Sequence, residues 1–253
     1  MLRVLYVVHS IPEYDKTGTP YVVWRMAKMI RTLFQIEVGF LINSPSNKLM
    51  KLTIDSFPIY MLPTIEHPNN FFLDSRSDRR QYLSWAAAAI RDFSPDILHV
   101  YNFVGLSYQL LRLKYLFPNL KIVRTVTHTE DVCINIDPIM LSTSGRMEVC
   151  SGPNPIDKCV DHFHRDTGTE QAGIRELFLD HYRQLNAYYE NYVDGVIFSG
   201  QGFHDYMANI FSFPPKRWLI PYGISRPAQS STVLRNRQGG DPVMIGFFGG
   251  FGP

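Results

Sequence analysis

The chain of 253 residues is long enough to bury a full hydrophobic core, and its composition, 45% apolar and 19% charged, is that of a globular protein rather than a disordered or fibrous one. Its 25 basic and 23 acidic residues leave a net charge of +2, which excludes the strong positive field of a typical nucleic-acid-binding protein, so no nucleic acid partner is expected. The apolar run at residues 4–8 is too short to span a membrane, and three cysteines are too few for a secreted disulfide framework. We therefore expect a soluble, cytoplasmic protein.

Short apolar and β-branched runs alternate with helical stretches along the chain. This alternation predicts a doubly wound, Rossmann-like α/β fold with a parallel sheet covered by helices on both faces. The predicted strands are residues 3–8, 36–42, 57–62, 96–100, 121–127, 195–199 and 217–221. The predicted helices are residues 21–34, 78–93, 104–116, 174–193 and 203–211. In the first helix, three- and four-residue spacings predict a stripe facing the sheet, formed by Val22, Met26, Met29, Ile30 and Leu33.

Two segments interrupt this alternation. Residues 129–173 form a long insertion that holds all three cysteines, and an insertion of that length is usually functional or has a small structure of its own. Polar residues 225–242 are typical of an interdomain linker. Residues 243–253 then predict the first strand and glycine loop of a second, truncated domain. The predicted first domain is residues 1–224.

Doubly wound sheets bind ligands beyond the carboxyl ends of their strands. After the first strand, Gly18 and Thr19 open a helix whose free amides could meet a phosphate, although an ordinary turn is an open alternative because the dinucleotide fingerprint of three spaced glycines is missing. After the fourth strand, Tyr101 and Asn102 are candidates for the cleft, whereas we interpret His99 as a core histidine.

The fifth strand ends at a third candidate, His128. An imidazole at this point is placed to hydrogen-bond a ligand, and Glu130 and Asp131 could fix its tautomer or raise its pKa. From the residues alone, ligand contact and a structural hydrogen bond are both open. No serine nucleophile motif of a hydrolase is present.

The cysteine-bearing insertion raises the question of a metal. Cys150, Cys159, His162 and His164, with Cys133, could supply zinc ligands, but their spacing matches no standard zinc finger. We favour reduced, structural thiols and expect neither a metal nor a cofactor.

Peripheral membrane contact is a further hypothesis. Arg76, Arg79 and Arg80 could meet anionic headgroups, although a solvated helix start is the simpler interpretation. A nearby apolar set could form a membrane or acceptor face, with core packing as the alternative: Tyr108, Leu111, Tyr115 and Phe117.

Several motifs in order resemble the N-terminal domain of family 4 glycosyltransferases, retaining enzymes of GT-B fold. The first motifs are RVLYVV at 3–8 with Gly18, PDILHVYN at 95–102 and the pair Thr127 and His128. The others are DGVIFS at 194–199, IPYGI at 220–224 and IGFFG at 245–249. The resemblance covers nearly the whole chain.

The resemblance implies transfer of a sugar from a nucleotide-diphosphate sugar to an acceptor hydroxyl on a glycan or lipid carrier. It places His128 against the donor sugar as the catalytic residue. It also implies that Tyr101 and Asn102 bind the acceptor. Four residues would lie near the donor diphosphate: Gly18, Thr19, Gly249 and Gly250. Two positions depart from the family pattern, since Thr17 replaces a first glycine and Gly250 a frequent arginine. We expect no turnover by this chain alone. A non-catalytic acceptor-binding module and a nucleotide-sugar epimerase are the alternatives.

Overall fold

The computed structural model describes residues 1–16, 18–65, 78–133, 139–141, 147–167 and 172–221. The predicted linker at 225–242 and the predicted start of a second domain at 243–253, with Gly249 and Gly250, lie outside these residues. Thr17 and Arg76 also lie outside them.

The described residues build one large sheet and a small hairpin. The strands are β1 (Arg3–Val7), β2 (Glu37–Ser44), β3 (Met50–Ile54), β4 (Phe57–Pro63), β5 (Ile97–Val100), β6 (Lys121–Val126), β7 (Ile139–Leu141), β8 (Met147–Val149), β9 (Gly195–Phe198) and β10 (Arg217–Leu219). Eight of them form a sheet in the order β10-β9-β6-β5-β1-β2-β4-β3, and β7 pairs with β8. Neighbours in the large sheet are parallel except β3 and β4. The predicted doubly wound α/β fold is confirmed.

Helices fill most of the connections between these strands. They are α1 (Gly18–Phe34), α2 (Asp78–Phe93), α3 (Leu113–Leu116), α4 (Asp157–Thr167), α5 (Ile174–Tyr192) and α6 (Gln201–Ala208), with a 3-10 helix at Tyr108–Arg112. Alternate residues of β1 enter two separate apolar clusters. Val4 and Tyr6 pack in the cluster that contains Trp24 of α1, and Leu5 and Val7 in the one built on α2 and α5. A strand buried on both faces has a nearly continuous apolar sequence, which is why β1 could be predicted.

The strand order creates a crevice at the carboxyl edge of the sheet. β1 pairs with β2 on one side and with β5 on the other. The chain first fills the β2-β4-β3 half of the sheet and then returns to β5 and fills the other half. The loops that leave β1 and β5 therefore diverge, which is the arrangement in which doubly wound sheets hold their ligands.

Two elements differ from the prediction for local reasons. The prediction omits β3, a short and largely exposed edge strand, although its sequence MKLTI alternates apolar and polar residues. Its antiparallel pairing depends on a two-residue turn at Asp55 and Ser56, both with positive φ. The helix predicted at 104–116 starts too early, because Gly105 has a φ of 68° and Ser107 is extended and accepts a hydrogen bond from the Gln109 amide.

The predicted stripe of α1 is wrong in part, because Met26 and Ile30 are partly buried and pack against the core but two other members face solvent. Met29 and Leu33 are 54% and 64% exposed. The ring of Trp24 packs 4.9 Å from Phe40 and 5.0 Å from Phe57 between ring centroids, and the large indole decides which side faces the sheet. The buried residues of α1 are Pro20, Val23, Trp24 and Ala27.

Candidate functional site

The carboxyl edge of the sheet brings together segments that follow three neighbouring strands. His9 follows β1, Asn102 follows β5 and His128 follows β6, and these strands are adjacent in the order β6-β5-β1. All three residues therefore lie at the edge where the crevice opens.

Thr19 and His128 are in direct contact at this edge. Oγ1 of Thr19 lies 3.0 Å from Nε2 of His128, although the two residues are 109 positions apart in the chain. The contact joins the first turn of α1 to the turn after β6. Both side chains are only partly buried, so a ligand in the crevice can reach them. The structure thus unites two residues predicted from separate motifs.

Gly18 begins α1 with an open environment. No heavy atom lies within 4 Å of the position that a Cβ would occupy, and Gly18 is not one of the positive-φ glycines of the described residues. Neither packing nor backbone conformation therefore requires glycine here. Its effect is to leave the amino end of the helix accessible to close approach by an anion.

Asn102, His9 and Asp15 form a chain of hydrogen bonds across the crevice. The backbone amide of His9 donates to Oδ1 of Asn102 at 2.8 Å, which fixes the orientation of the side-chain amide. The Asn102 NH₂ group then faces Nδ1 of His9 at 2.8 Å, so Nδ1 must accept. The proton of a neutral imidazole is consequently on Nε2, which donates to Oδ2 of Asp15 at 3.0 Å. Sequence reasoning missed His9 and Asp15, although His9 directly follows a predicted strand.

Tyr101 and Asn102 are buried more deeply than their predicted role in acceptor binding suggests. They are 4% and 0% exposed. The Tyr101 hydroxyl donates to Sδ of Met26 at 3.5 Å, and its carbonyl accepts from the Thr127 hydroxyl at 3.3 Å. Direct acceptor contact remains a prediction for both. Their positions favour an indirect role, in which Asn102 orients His9.

Glu130 and Asp131 turn into the core, contrary to the expectation that they serve His128. Both carboxylates bind Arg124 of β6, which is fully buried. Nη2 of Arg124 lies 2.7 Å from Oε1 of Glu130 and 3.1 Å from Oδ1 of Asp131. A cation inside the apolar strand KIVRTV, followed by two adjacent acids, was the sequence signal for this cluster. We call these three residues the buried charge cluster.

The buried charge cluster is hydrogen-bonded to the elements around it. The Phe103 amide donates to both carboxylate oxygens of Glu130 at 3.1 Å, and the Tyr189 hydroxyl donates to Asp131. Nη1 of Arg124 donates to the Tyr101 carbonyl. Burial raises the pKa of Glu130 to about 7; Arg124 opposes this rise, and Asp131 adds to it.

His99 occupies the core position that the sequence predicts. Its Nε2 lies 2.7 Å from Oγ1 of Thr125, and its ring packs 5.2 Å from Tyr6 and 4.7 Å from Tyr101 between centroids. Burial and then the nearby Arg124 lower the pKa of His99 to about 3. A neutral histidine fits the structural interpretation.

The three cysteines line one narrow cavity beside His162. Cys133 Sγ lies 4.0 Å from Nδ1 of His162, and Cys159 Sγ lies 3.5 Å from the Tyr182 hydroxyl. None of the three cysteines is joined in a disulfide, and within the described ranges no set of three His, Cys, Asp or Glu side chains is placed to hold a metal ion. The absence of zinc remains a prediction.

The apolar set considered for membrane contact is divided between core and surface. Tyr108 and Leu111 are buried, Phe117 is partly buried and Tyr115 is 76% exposed. Across the part of the chain that is described, none of the helices combines the length and apolar character needed to cross a bilayer.

The strand order, the helices on both faces and the crevice define a Rossmann-like α/β domain. One solved structure that shares this fold is sucrose-phosphate synthase from Thermosynechococcus elongatus, with a TM-score of 0.53, 11% identity and coverage of 87% of this chain. The match covers 48% of the sucrose-phosphate synthase chain, so our chain spans about half of its length. At this identity the likeness shows the fold alone.

Two further structural matches are too distant to support an argument. The catalytic domain of starch synthase IV from Arabidopsis thaliana, bound to ADP and acarbose, has a TM-score of 0.34 and 16% identity over 51% of this chain and 34% of that chain. dTDP-glucose 4,6-dehydratase from Bacillus anthracis, in complex with NAD, has a TM-score of 0.32 and 9% identity over 78% of this chain and 54% of that chain. No family model and no curated protein matches the chain.

Proposed function

We propose that the chain is the acceptor-side domain of a retaining family 4 glycosyltransferase, which transfers a sugar from a nucleotide-diphosphate sugar to an acceptor hydroxyl. The observation that carries the proposal is the 3.0 Å contact between Thr19 and His128 at the crevice. It places a hydroxyl, an imidazole and the amino end of a helix within one small region. These groups suit a phosphate and a sugar hydroxyl.

The electrostatics of α1 support a role in anion binding. The helix has 17 residues, begins at Gly18 and contains three basic and no acidic side chains. The first amides of a helix have no partner within the helix itself, and together with the positive end of the dipole they would stabilise a diphosphate at the first turn. In a transfer reaction the same groups would stabilise the charge that develops on the departing diphosphate.

Asp15 and His9 provide polar groups for the acceptor side of the crevice. His9 holds Oδ2 of Asp15, and the side chain of Asp15 is 28% exposed. A carboxylate held in one orientation is a good acceptor for the hydroxyl groups of a sugar. Asn102 contributes by fixing His9.

The proposal can be tested by ligand binding to this chain. UDP-glucose and ADP-glucose serve as probes, with binding followed by ligand-observed NMR up to millimolar concentration. We expect weak binding that Gly18→Leu abolishes, because the added side chain enters the space that the diphosphate would fill. Thr32→Leu, at the other end of α1, is the matched control and should bind as the wild type does.

Two results would contradict the proposal. One is that neither probe binds; the other is that Gly18→Leu and Thr32→Leu bind equally well. Binding of an acceptor glycan with no binding of either nucleotide sugar would favour a non-catalytic acceptor-binding module.

A further inference from the structure

We propose that the buried charge cluster is a positioning device for His128 and that Glu130 is its central positioning residue. The cluster fixes residues 127–129 so that the imidazole faces Thr19. The role of His128 toward a ligand rests on the proposed function, whereas the positioning itself can be tested without any ligand.

The geometry of the turn after β6 shows how the positioning works. Arg124 lies inside the strand, and Glu130 and Asp131 follow the turn. Ion pairs of 2.7 and 3.1 Å therefore join the two ends of the turn beneath His128. The amides of Val132 and Cys133 both donate to the Thr129 carbonyl, which tightens the far end. His128 is thus held at the apex of a closed loop.

Neighbouring elements hold this loop from three sides. Glu130 accepts from the amide that follows β5, and its carbonyl accepts from the Tyr108 hydroxyl of the 3-10 helix at 2.9 Å. On α5, Tyr189 donates to the Asp131 carboxylate, and Nε2 of His181 lies 3.1 Å from the Asp131 carbonyl. The cluster therefore transmits the positions of β5 and α5 to the turn that carries His128.

The cost of burying charge argues that the cluster does more than stabilise the fold. Buried ion pairs often contribute no more to stability than apolar side chains of the same volume, because desolvation offsets their attraction. An apolar contact, however, lacks direction. Hydrogen-bonded charges specify one conformation of a turn, and this turn bears His128.

The charges in the cluster also link the turn to pH. One guanidinium faces two carboxylates, and the other titratable groups around them are Tyr108, Tyr189, His181 and His99. Burial raises the pKa of Glu130 to about 7, so protonation near neutral pH weakens its ion pair with Arg124. The environment of His128 should change in the same pH range.

NMR of the 15N-labelled chain can test the positioning role through the imidazole signals of His128, which are identified by their loss in His128→Gln. The test variants are Glu130→Gln and Tyr189→Phe, which removes only a hydroxyl. Tyr188→Phe is the matched control, because Tyr188 is on the same helix but donates to Gln109 at 3.3 Å.

We expect Tyr189→Phe to shift and broaden the His128 signals. Glu130→Gln should shift them further. It should also remove an inflection near neutral pH from the pH dependence of their chemical shifts, an inflection that is separate from the titration of the imidazole itself. Tyr188→Phe should leave the signals unchanged. The melting temperature should fall by only a few degrees in the two test variants. If Glu130→Gln does not fold, Tyr189→Phe alone decides.

Unchanged His128 signals in the folded test variants, or an equal change in Tyr188→Phe, would overturn the positioning role. If the signals respond as expected while no nucleotide sugar binds, the proposed function fails and the positioning role stands. If nucleotide sugar binds and the signals do not respond, the positioning role fails and the proposed function stands.

Discussion

At the scale of single residues, the role of His128 in ligand binding can be tested separately from folding. Its side chain is partly buried and is bonded to another partly buried side chain. We expect His128→Ala to lower the affinity for UDP-glucose or ADP-glucose about fivefold if the lost hydrogen bond is neutral and roughly a hundredfold if it is charged. The melting temperature should barely change, because water can replace the imidazole at Thr19. Isothermal titration and thermal melting of the same sample provide the measurement. A lowered melting point with unchanged affinity would assign His128 a structural role.

The residues predicted from sequence and those missed differ in how they act. Thr19 and His128 could be predicted because each lies at the junction of a strand or loop with the next element, and the sequence pattern locates that junction. His9 and Asp15 could not, because their roles depend on the orientation of Asn102, which a backbone amide fixes. The inward turn of Glu130 likewise depends on Arg124, six residues earlier.

At the scale of elements, the turn after β5 depends on Gly105. Its φ is 68°, and a Cβ there would stand 2.3 Å from Nδ2 of Asn43, which donates to the Val104 carbonyl at 3.0 Å. We expect Gly105→Ala to destabilise the protein by more than about 1 kcal/mol, since it adds strain and disturbs this hydrogen bond. Denaturant unfolding measures the loss. Gly18→Ala is the control, and a comparable loss there would contradict the argument.

Asp194 connects β9 to β6 and α3 just before β9 begins. It lies 2.9 Å from Nζ of Lys114 and accepts from the Ile122 amide at 2.9 Å. Burial raises its pKa, but the hydrogen bonds outweigh this, so the pKa lies below its ordinary value. The stabilisation is therefore present above the unfolded pKa and is lost as pH falls through the folded one.

We expect Asp194→Asn to lower the free energy of unfolding at neutral pH by about 1 kcal/mol. The difference from the wild type should shrink in strong acid. Asp180→Asn, which removes an exposed pair with Arg183, is the control and should change little. Urea unfolding at several pH values measures both variants, and a difference independent of pH would count against the linkage.

The elements themselves were predictable where both sheet faces are buried and less so elsewhere. β1, β5 and β6 have apolar sequences because helices cover them on both sides. β3 is a short edge strand, and its signals were the apolar and polar alternation of MKLTI and the turn at Asp55 and Ser56. The face of α1 that packs on the sheet is set by Trp24, whose ring partners Phe40 and Phe57 are on β2 and β4.

At the scale of the whole molecule, the buried charge cluster should link global stability to pH. Burial raises the pKa of Glu130 from 4.5 to about 7, so the folded state binds a proton that the unfolded state releases. Its stabilising contribution is complete below the unfolded pKa and is lost as pH rises through the folded one.

The free energy of unfolding of the wild type, minus that of Glu130→Gln, should therefore decrease between about pH 4.5 and pH 7. Subtraction of the variant cancels the contributions of titratable groups outside the cluster, because they do not interact with Glu130. Chemical denaturation across this range provides the measurement. A difference that is constant or rises with pH would refute the linkage.

The contact between Thr19 and His128 also has a consequence for the order of folding. Its 109-residue separation means that it closes only after the first and sixth strands have found their places around the fifth. Contacts of such high sequence separation carry a large loop-closure cost and form slowly. A partly folded chain would therefore have most of its helices but not the proposed ligand site. Recovery of binding during refolding would then report the final assembly step, and a ligand that bridges the two residues would draw slow-folding chains into the native state by mass action.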